Sequence, residues 1–205
     1  VEALFLAHPT EIAAVIVEPV AGNMGCVPPR EGFLSGLRTL CDRFGSVLIL
    51  DEVMTGFRVS DGGAAKRFGI VPDMITLGKI VGGGMPLAAY CGKDTLMRNV
   101  SPDGKVYQAG TLSGNPMAVT AGLAQLRLLY KLNPWDALER KGEFLAEEIR
   151  KAAKDAGVSV QVNRVASMFT VFFSGKPVVD TETALAADTK RFATFFHAML
   201  EQGIF

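Results

Sequence analysis

Residues 47–85 constrain this chain more than any other stretch. They open on VLILD, a short apolar run that ends in the adjacent carboxylates Asp51 and Glu52, and close on MITLGKIVGGGMP, where a second apolar run delivers Lys79 into three glycines. Short apolar runs bounded by polar or glycine signals suit strands buried in a parallel sheet. Parallel neighbours need a crossover between them, and the interval here is long enough for one helix. A carboxylate at one strand end and an amine at the next make a candidate ligand wall, because ligands of open α/β sheets gather at the carboxyl ends of strands.

The flanking sequence extends the same plan. Residues 12–19, IAAVIVEP, read as another strand buried on both faces, with Glu18 at its end. From Glu31, the residues Phe33, Leu34, Leu37, Leu40, Cys41 and Phe44 recur at helical spacing, and Gly45 stands where a left-handed stop belongs. Residues 87–91 read as a further strand of this sheet, so the fold class is α/β. Asn115 before Pro116 is an N-cap signal for a long helix with Met117, Leu123, Leu126, Leu129 and Tyr130 as its apolar stripe. Pro134 opens the next helix, with Trp135, Leu138, Leu145 and Ile149 on one face and Gly157 as its stop. Residues 158–162 and 168–173 read as half-exposed strands, and 184–202 as one Ala-rich helix. The change of strand pattern predicts two domains: 1–131 as part of a large domain and 132–205 as part of a smaller α+β domain.

Composition narrows the function classes. Lys plus Arg and Asp plus Glu both number 21, so no net charge favours nucleic acid or an anionic membrane, and a small-molecule partner fits better. Cys26, Cys41 and Cys91 lack CxxC spacing and have only His8 and His197 beside them, which predicts no metal site or disulfide framework and suits a reducing cytosol. No apolar run reaches the roughly 18–20 residues of a membrane span. Val1 is not a start methionine and falls within a helical pattern, and the sequence stops at Phe205 after the apolar helix end MLEQGIF, where a strand is expected to begin. The chain therefore reads as a fragment, inactive by itself.

Lys79 sits among Leu77, Ile80 and Val81, which predicts a buried amine with little surface to snorkel toward, and Gly82, Gly83 and Gly84 allow backbone to approach a ligand closely. Such an amine is a candidate nucleophile. VLILDE also describes the Mg²⁺-holding strand of a P-loop ATPase. That alternative requires a GxxxxGK[ST] loop, and no lysine in this sequence has that spacing.

Four motifs in order, EPVAGN, LILDEVMTGFR, TLGKIVGGGMP and YQAGTLSGNP, resemble the class III (ω-amino acid) family of pyridoxal-phosphate enzymes, which have the type I aspartate aminotransferase fold. The resemblance covers nearly the whole chain. It implies that Lys79 carries pyridoxal 5′-phosphate as a Schiff base, that Asp51 pairs with the pyridine nitrogen, and that Val53 packs on the ring face. It implies further that Thr111, with the Gly110 backbone, reaches the cofactor phosphate of the neighbouring subunit in a homodimer. Asn23 stands where aminotransferase relatives often carry a glutamate, and Met54 where they carry a glutamine. Both resemble the aminomutase branch, whose members use the pyridoxal and pyridoxamine forms to isomerise glutamate 1-semialdehyde to 5-aminolevulinate for tetrapyrrole synthesis. An ω-amino acid aminotransferase is the alternative within the family. The family's phosphate-cradling loop, stacking aromatic residue and gating loop have no counterpart in this sequence.

Overall fold

A computed structural model describes residues 1–204. They form two compact units: Val1–Pro19 with Glu31–Trp135, and Val20–Arg30 with the chain from Asp136 onward. The division departs from a continuous cut at residue 132, because the loop after the first strand belongs with the second unit.

The first unit is built on four strands, β1 (Ala14–Val17), β2 (Val47–Asp51), β3 (Met74–Leu77) and β4 (Ala89–Gly92), hydrogen-bonded in that order. β1 to β3 run parallel, whereas β4 returns antiparallel to β3, contrary to the expected run of like strands. The β3–β4 connection is too short for a crossover helix, and an antiparallel return needs none. α2 (Phe33–Phe44) bridges β1 and β2 and ends as its sequence predicts: Gly45 is left-handed at φ 71, and its N–H reaches the Cys41 carbonyl. Phe5 from α1 (Glu2–Ala7), Leu37, Cys41 and Leu48 form the core between helices and sheet. β1 is not buried on both faces: Ile16 is 63% exposed at this open edge of the sheet.

A buried carboxylate fixes where β3 begins. Asp73, 7% exposed, accepts from the Leu48 backbone N–H at 2.7 Å and from Arg38 at 2.7 Å, and pairs with Lys93 at 2.6 Å. Burial alone would raise its pKa, but Lys93, the Leu48 amide and Arg38 outweigh it and hold the carboxyl at about 2. One side chain thereby ties α2, β2, β3 and β4 together.

α3 (Gly63–Phe68) and α4 (Asp94–Met97) are short additions, and α5 (Pro116–Leu132) is the long helix that Asn115 caps by accepting the Ala118 N–H. Its inward face differs from the expected Met117–Leu123 stripe. Ala118 and Gly122 are the buried residues, while Met117 and Leu123 are 72% and 45% exposed. A Cβ on Gly122 would collide with the Val81 carbonyl, so close helix-to-backbone approach selects the small residues.

In the second unit, α6 (Trp135–Asp155) lies against an antiparallel pair, β5 (Gln161–Val165) and β6 (Met168–Phe172). Ala146, Val162 and Val171 are its buried centre, packed by Ile149, Val160, Phe169 and Phe173. Gly142 lets the helix approach the turn, since a Cβ there would stand 2.7 Å from the Ala166 carbonyl. Arg164 links the same parts by donating to Glu139 at 2.7 Å and to the Ala166 carbonyl at 2.8 Å. The loop of Val20–Arg30 docks on β6, where Thr170 accepts the Cys26 N–H at 2.9 Å. The single helix expected over 184–202 is two: α7 (Thr181–Leu185) with an Asp180 capping box, and α8 (Thr189–Glu201), capped by Asp188 accepting from Arg191 N–H. Asp188 satisfies a helix start better than a helix interior, and the chain breaks there.

Candidate active site

The first three strands are parallel, so Glu18, Asp51 and Lys79 all follow carboxyl ends of one sheet. Asp51 ends β2 opposite Thr76 of β3. One oxygen of its carboxylate, Oδ1, accepts from the Val53 N–H at 3.0 Å and the Thr76 hydroxyl at 3.1 Å. Oδ2 has no hydrogen-bond partner among the described residues. The carboxylate is thus oriented at one oxygen and open at the other.

Val53 and Gly78 meet across the gap between the two strand ends: a Cβ on Gly78 would lie 3.0 Å from Val53 Cγ1. Glycine at 78 lets the two backbone segments close the wall. Lys79 begins a 3-10 turn, Lys79–Gly82, and holds φ at 47, a left-handed conformation uncommon outside glycine. The turn packs on α5, where a Cβ on Gly83 would sit 2.6 Å from the Ala121 carbonyl. Lys79 is exposed, not buried as its apolar flanks suggest, because Val81 and Gly82 occupy the inward face of the turn instead. It lines a cavity of about 440 Å³ with Arg58, Ile80, Gly83, Gly84 and Gln125.

Gly110 and Thr111 lie in an exposed turn before α5, where Ser113 N–H donates to the Gly110 carbonyl at 2.9 Å. Asn23 is exposed in the Val20–Arg30 loop of the second unit. Met54, half-buried, gives its carbonyl to Arg58 Nε at 2.8 Å. Of the cysteines, Cys26 is pushed up to about 11, chiefly by burial, and Cys41 is raised by burial as well, so neither is an activated thiol.

Two residues escape a reading by motif. Arg58 reaches the Lys79 cavity through an irregular loop that periodicity does not describe. Glu52, beside Asp51, is 1% exposed and accepts from the Thr55 hydroxyl at 2.9 Å and the N–H groups of Ala64 and Ala65 at 2.6 and 2.8 Å. Alternation along a strand was the available signal: Asp51 and Glu52 must face opposite ways.

The chain is 57% identical over its full length to a glutamate-1-semialdehyde 2,1-aminomutase from Citrifermentans bemidjiense, of which it covers 48%. It superposes with a TM-score of 0.92 and 33% identity on a β-phenylalanine aminotransferase from Variovorax paradoxus, covering 99% of this chain and 47% of that one. A glutamate-1-semialdehyde aminomutase from Pseudomonas aeruginosa PAO1 in complex with PMP gives 0.78 and 28%, covering 90% and 43%. The chain therefore spans about half the length of the relatives it matches, and has the α/β fold of class III transaminases. The family model for class-III aminotransferases matches residues 1–205, and the chain belongs to that family.

Proposed function

We propose that the natural polypeptide carrying this sequence isomerises glutamate 1-semialdehyde to 5-aminolevulinate, with pyridoxal 5′-phosphate as cofactor. The observation that carries this is the 57% identity along the whole chain to an aminomutase. The β-phenylalanine aminotransferase, with its TM-score of 0.92, favours an aminotransferase as the second reading. Backbone similarity is shared across the family, so side-chain identity discriminates better between the two.

The residues at the strand ends fit the cofactor. Asp51, oriented through Oδ1 and open at Oδ2, suits a protonated pyridine nitrogen, and Val53 offers an apolar surface for a ring face. When bound, pyridoxal 5′-phosphate supplies an electron sink for a carbon that loses its proton, and its amine form supplies the nitrogen. The Asp51 carboxylate would pair with the positive charge at the ring nitrogen, a charge-assisted contact contributing about 1.5–3 kcal/mol. The Lys79 amine would anchor the cofactor and, once freed, would carry protons between the substrate carbon and the cofactor's C4′. A second copy of the chain in a homodimer brings Thr111 and the Gly110 backbone to the cofactor phosphate, and Asn23 stands in the sequence where aminotransferase relatives often carry a glutamate. We place the protein in the cytosol, where its free cysteines stay reduced.

The test is to give the natural polypeptide the semialdehyde alone, and separately an ω-amino acid with 2-oxoglutarate or pyruvate. An aminomutase turns over repeatedly in the first mixture, because its amine returns within one substrate. Turnover in the second mixture only would establish the aminotransferase instead.

A further inference from the structure

Glu52 and Asp51 are adjacent, yet the structure uses them in opposite senses. Asp51 leaves one oxygen open, whereas Glu52 is enclosed and accepts three donors: Thr55 Oγ1 and Ala64 N–H at Oε2, and Ala65 N–H at Oε1. These donors come from two places in the sequence. Thr55 lies in the loop just after the strand, and Ala64 and Ala65 lie at its far end, where α3 begins. The carboxylate therefore closes the loop of residues 53–63 at its base.

That loop forms one side of the candidate site. Val53 starts it and faces Gly78, next to Lys79. Gly56 lies so close to β3 that a Cβ would stand 2.5 Å from Leu77 Cδ2 and 2.8 Å from the Glu52 carbonyl. Arg58 continues it into the cavity that Lys79 lines. A second, steric observation marks the same clamp: a Cβ on Gly63 would run into the Glu52 carboxylate, and Gly63 holds φ at 65. The position is shaped around a carboxylate group that accepts at both oxygens. All three of these partners donate, so an amide or a protonated acid would set a donor against a donor.

Building on the cofactor seat proposed above, we propose that Glu52 is a positioning residue, whose carboxylate clamps residues 53–63 and thereby sets Val53 and Asp51 against the cofactor ring. It touches neither cofactor nor substrate and acts through the loop. The nearest sequence signal, the Asp-Glu pair, does not distinguish the open carboxylate from the enclosed one.

The experiment uses the natural polypeptide with Glu52→Gln, Thr55→Val and Thr55→Ser. Three quantities are read: the dissociation constant for pyridoxal 5′-phosphate, the visible circular dichroism of the bound cofactor, and kcat against KM. Glu52→Gln should weaken the cofactor about tenfold, change the dichroic band and lower kcat with little change in KM. Thr55→Val should do the same to a smaller degree, and Thr55→Ser, which keeps the hydroxyl, should restore all three. If Glu52→Gln does not fold, the Thr55 pair decides. Variants that melt earlier while keeping cofactor affinity, dichroism and kcat would overturn the proposal and leave Glu52 a purely structural residue. Failure of the unsubstituted protein to take the cofactor on Lys79 would instead sink the proposed function, which separates the two outcomes.

Discussion

The strand ends of the first unit and the β5–β6 hairpin of the second are held by different forces. At the strand ends, carboxylates organise the backbone: Asp51 takes Val53 and Thr76, Glu52 takes Thr55 and the start of α3, and Asp73 takes Leu48, Arg38 and Lys93. In the hairpin the centre is Ala146, Val162 and Val171, with one arginine, Arg164, tying helix to turn. The contrast has a physical consequence. Hydrogen bonds to carboxylates fix directions and depend on charge, whereas apolar burial is non-directional and indifferent to pH. A region that must orient reacting groups needs the first kind of support, and a packed scaffold can use the second.

The largest expected effect lies where direction matters most. In the natural polypeptide, Lys79→Ala should lose the cofactor bond that borohydride reduction traps and lower turnover by about 10²–10⁴-fold or more. Peptide mapping that finds reduced cofactor on another lysine would remove Lys79 from its role. Asp51→Asn comes next, keeping the shape and the two contacts at Oδ1 while losing the charge. Cofactor should still bind, but turnover should fall about 10- to 100-fold. Unchanged turnover would mean that the open oxygen holds nothing charged.

A stability effect of intermediate size separates the two regions by pH. The Asp73 carboxyl, held at about 2 in the folded chain, lies below its unfolded value of roughly 3.9. Its contribution, about 2–3 kcal/mol, is present above the unfolded value and is lost as pH falls through the folded one. Denaturation should therefore show the first unit weakening between about pH 4 and pH 2. Asp73→Asn should flatten that part of the profile while lowering stability at neutral pH, because Arg38 and Lys93 lose their partner. A variant with the same acid profile as the parent would assign the acid sensitivity elsewhere.

These differences were unequally visible in the sequence. β2, α2 with its Gly45 stop and the Asn115 cap were legible because short-range pattern and backbone chemistry decide them. The direction of β4 was not, since an apolar run carries no orientation, and the inward face of α5 was not, since its small residues answer to a neighbour's backbone. A continuous run of helix formers hides the break at Asp188. Motifs mark Asp51, Val53 and Lys79 as candidates, and they follow or end the neighbouring strands β2 and β3. Arg58 depends on how residues 53–63 fold back, which is long-range geometry without a periodic signal, and for Glu52 strand alternation marks only that it faces away from Asp51. The exposure of Lys79 follows from the turn that buries Val81 and Gly82 instead, which apolar flanks do not reveal.

The smallest expected effect completes the contrast from the hairpin side. Val171 is 6% exposed and belongs to the cluster with Ala146 and Val162. Val171→Ala removes two methyl groups from this cluster, which costs about 1–2 kcal/mol in transfer free energy and a small cavity. No carboxylate belongs to that cluster, so the loss should be the same at pH 7 as at pH 3, measured by denaturant titration with hydrogen exchange of the β5–β6 amides as the local readout. Asp73→Asn, in contrast, should cost less at pH 3 than at pH 7, because the parent has by then begun to lose the same interaction. Measured together, the two variants give one pH-independent and one pH-dependent difference. A Val171→Ala loss that varies with pH would show that the hairpin leans on ionised groups after all, with Arg164 and its Glu139 partner the first to substitute.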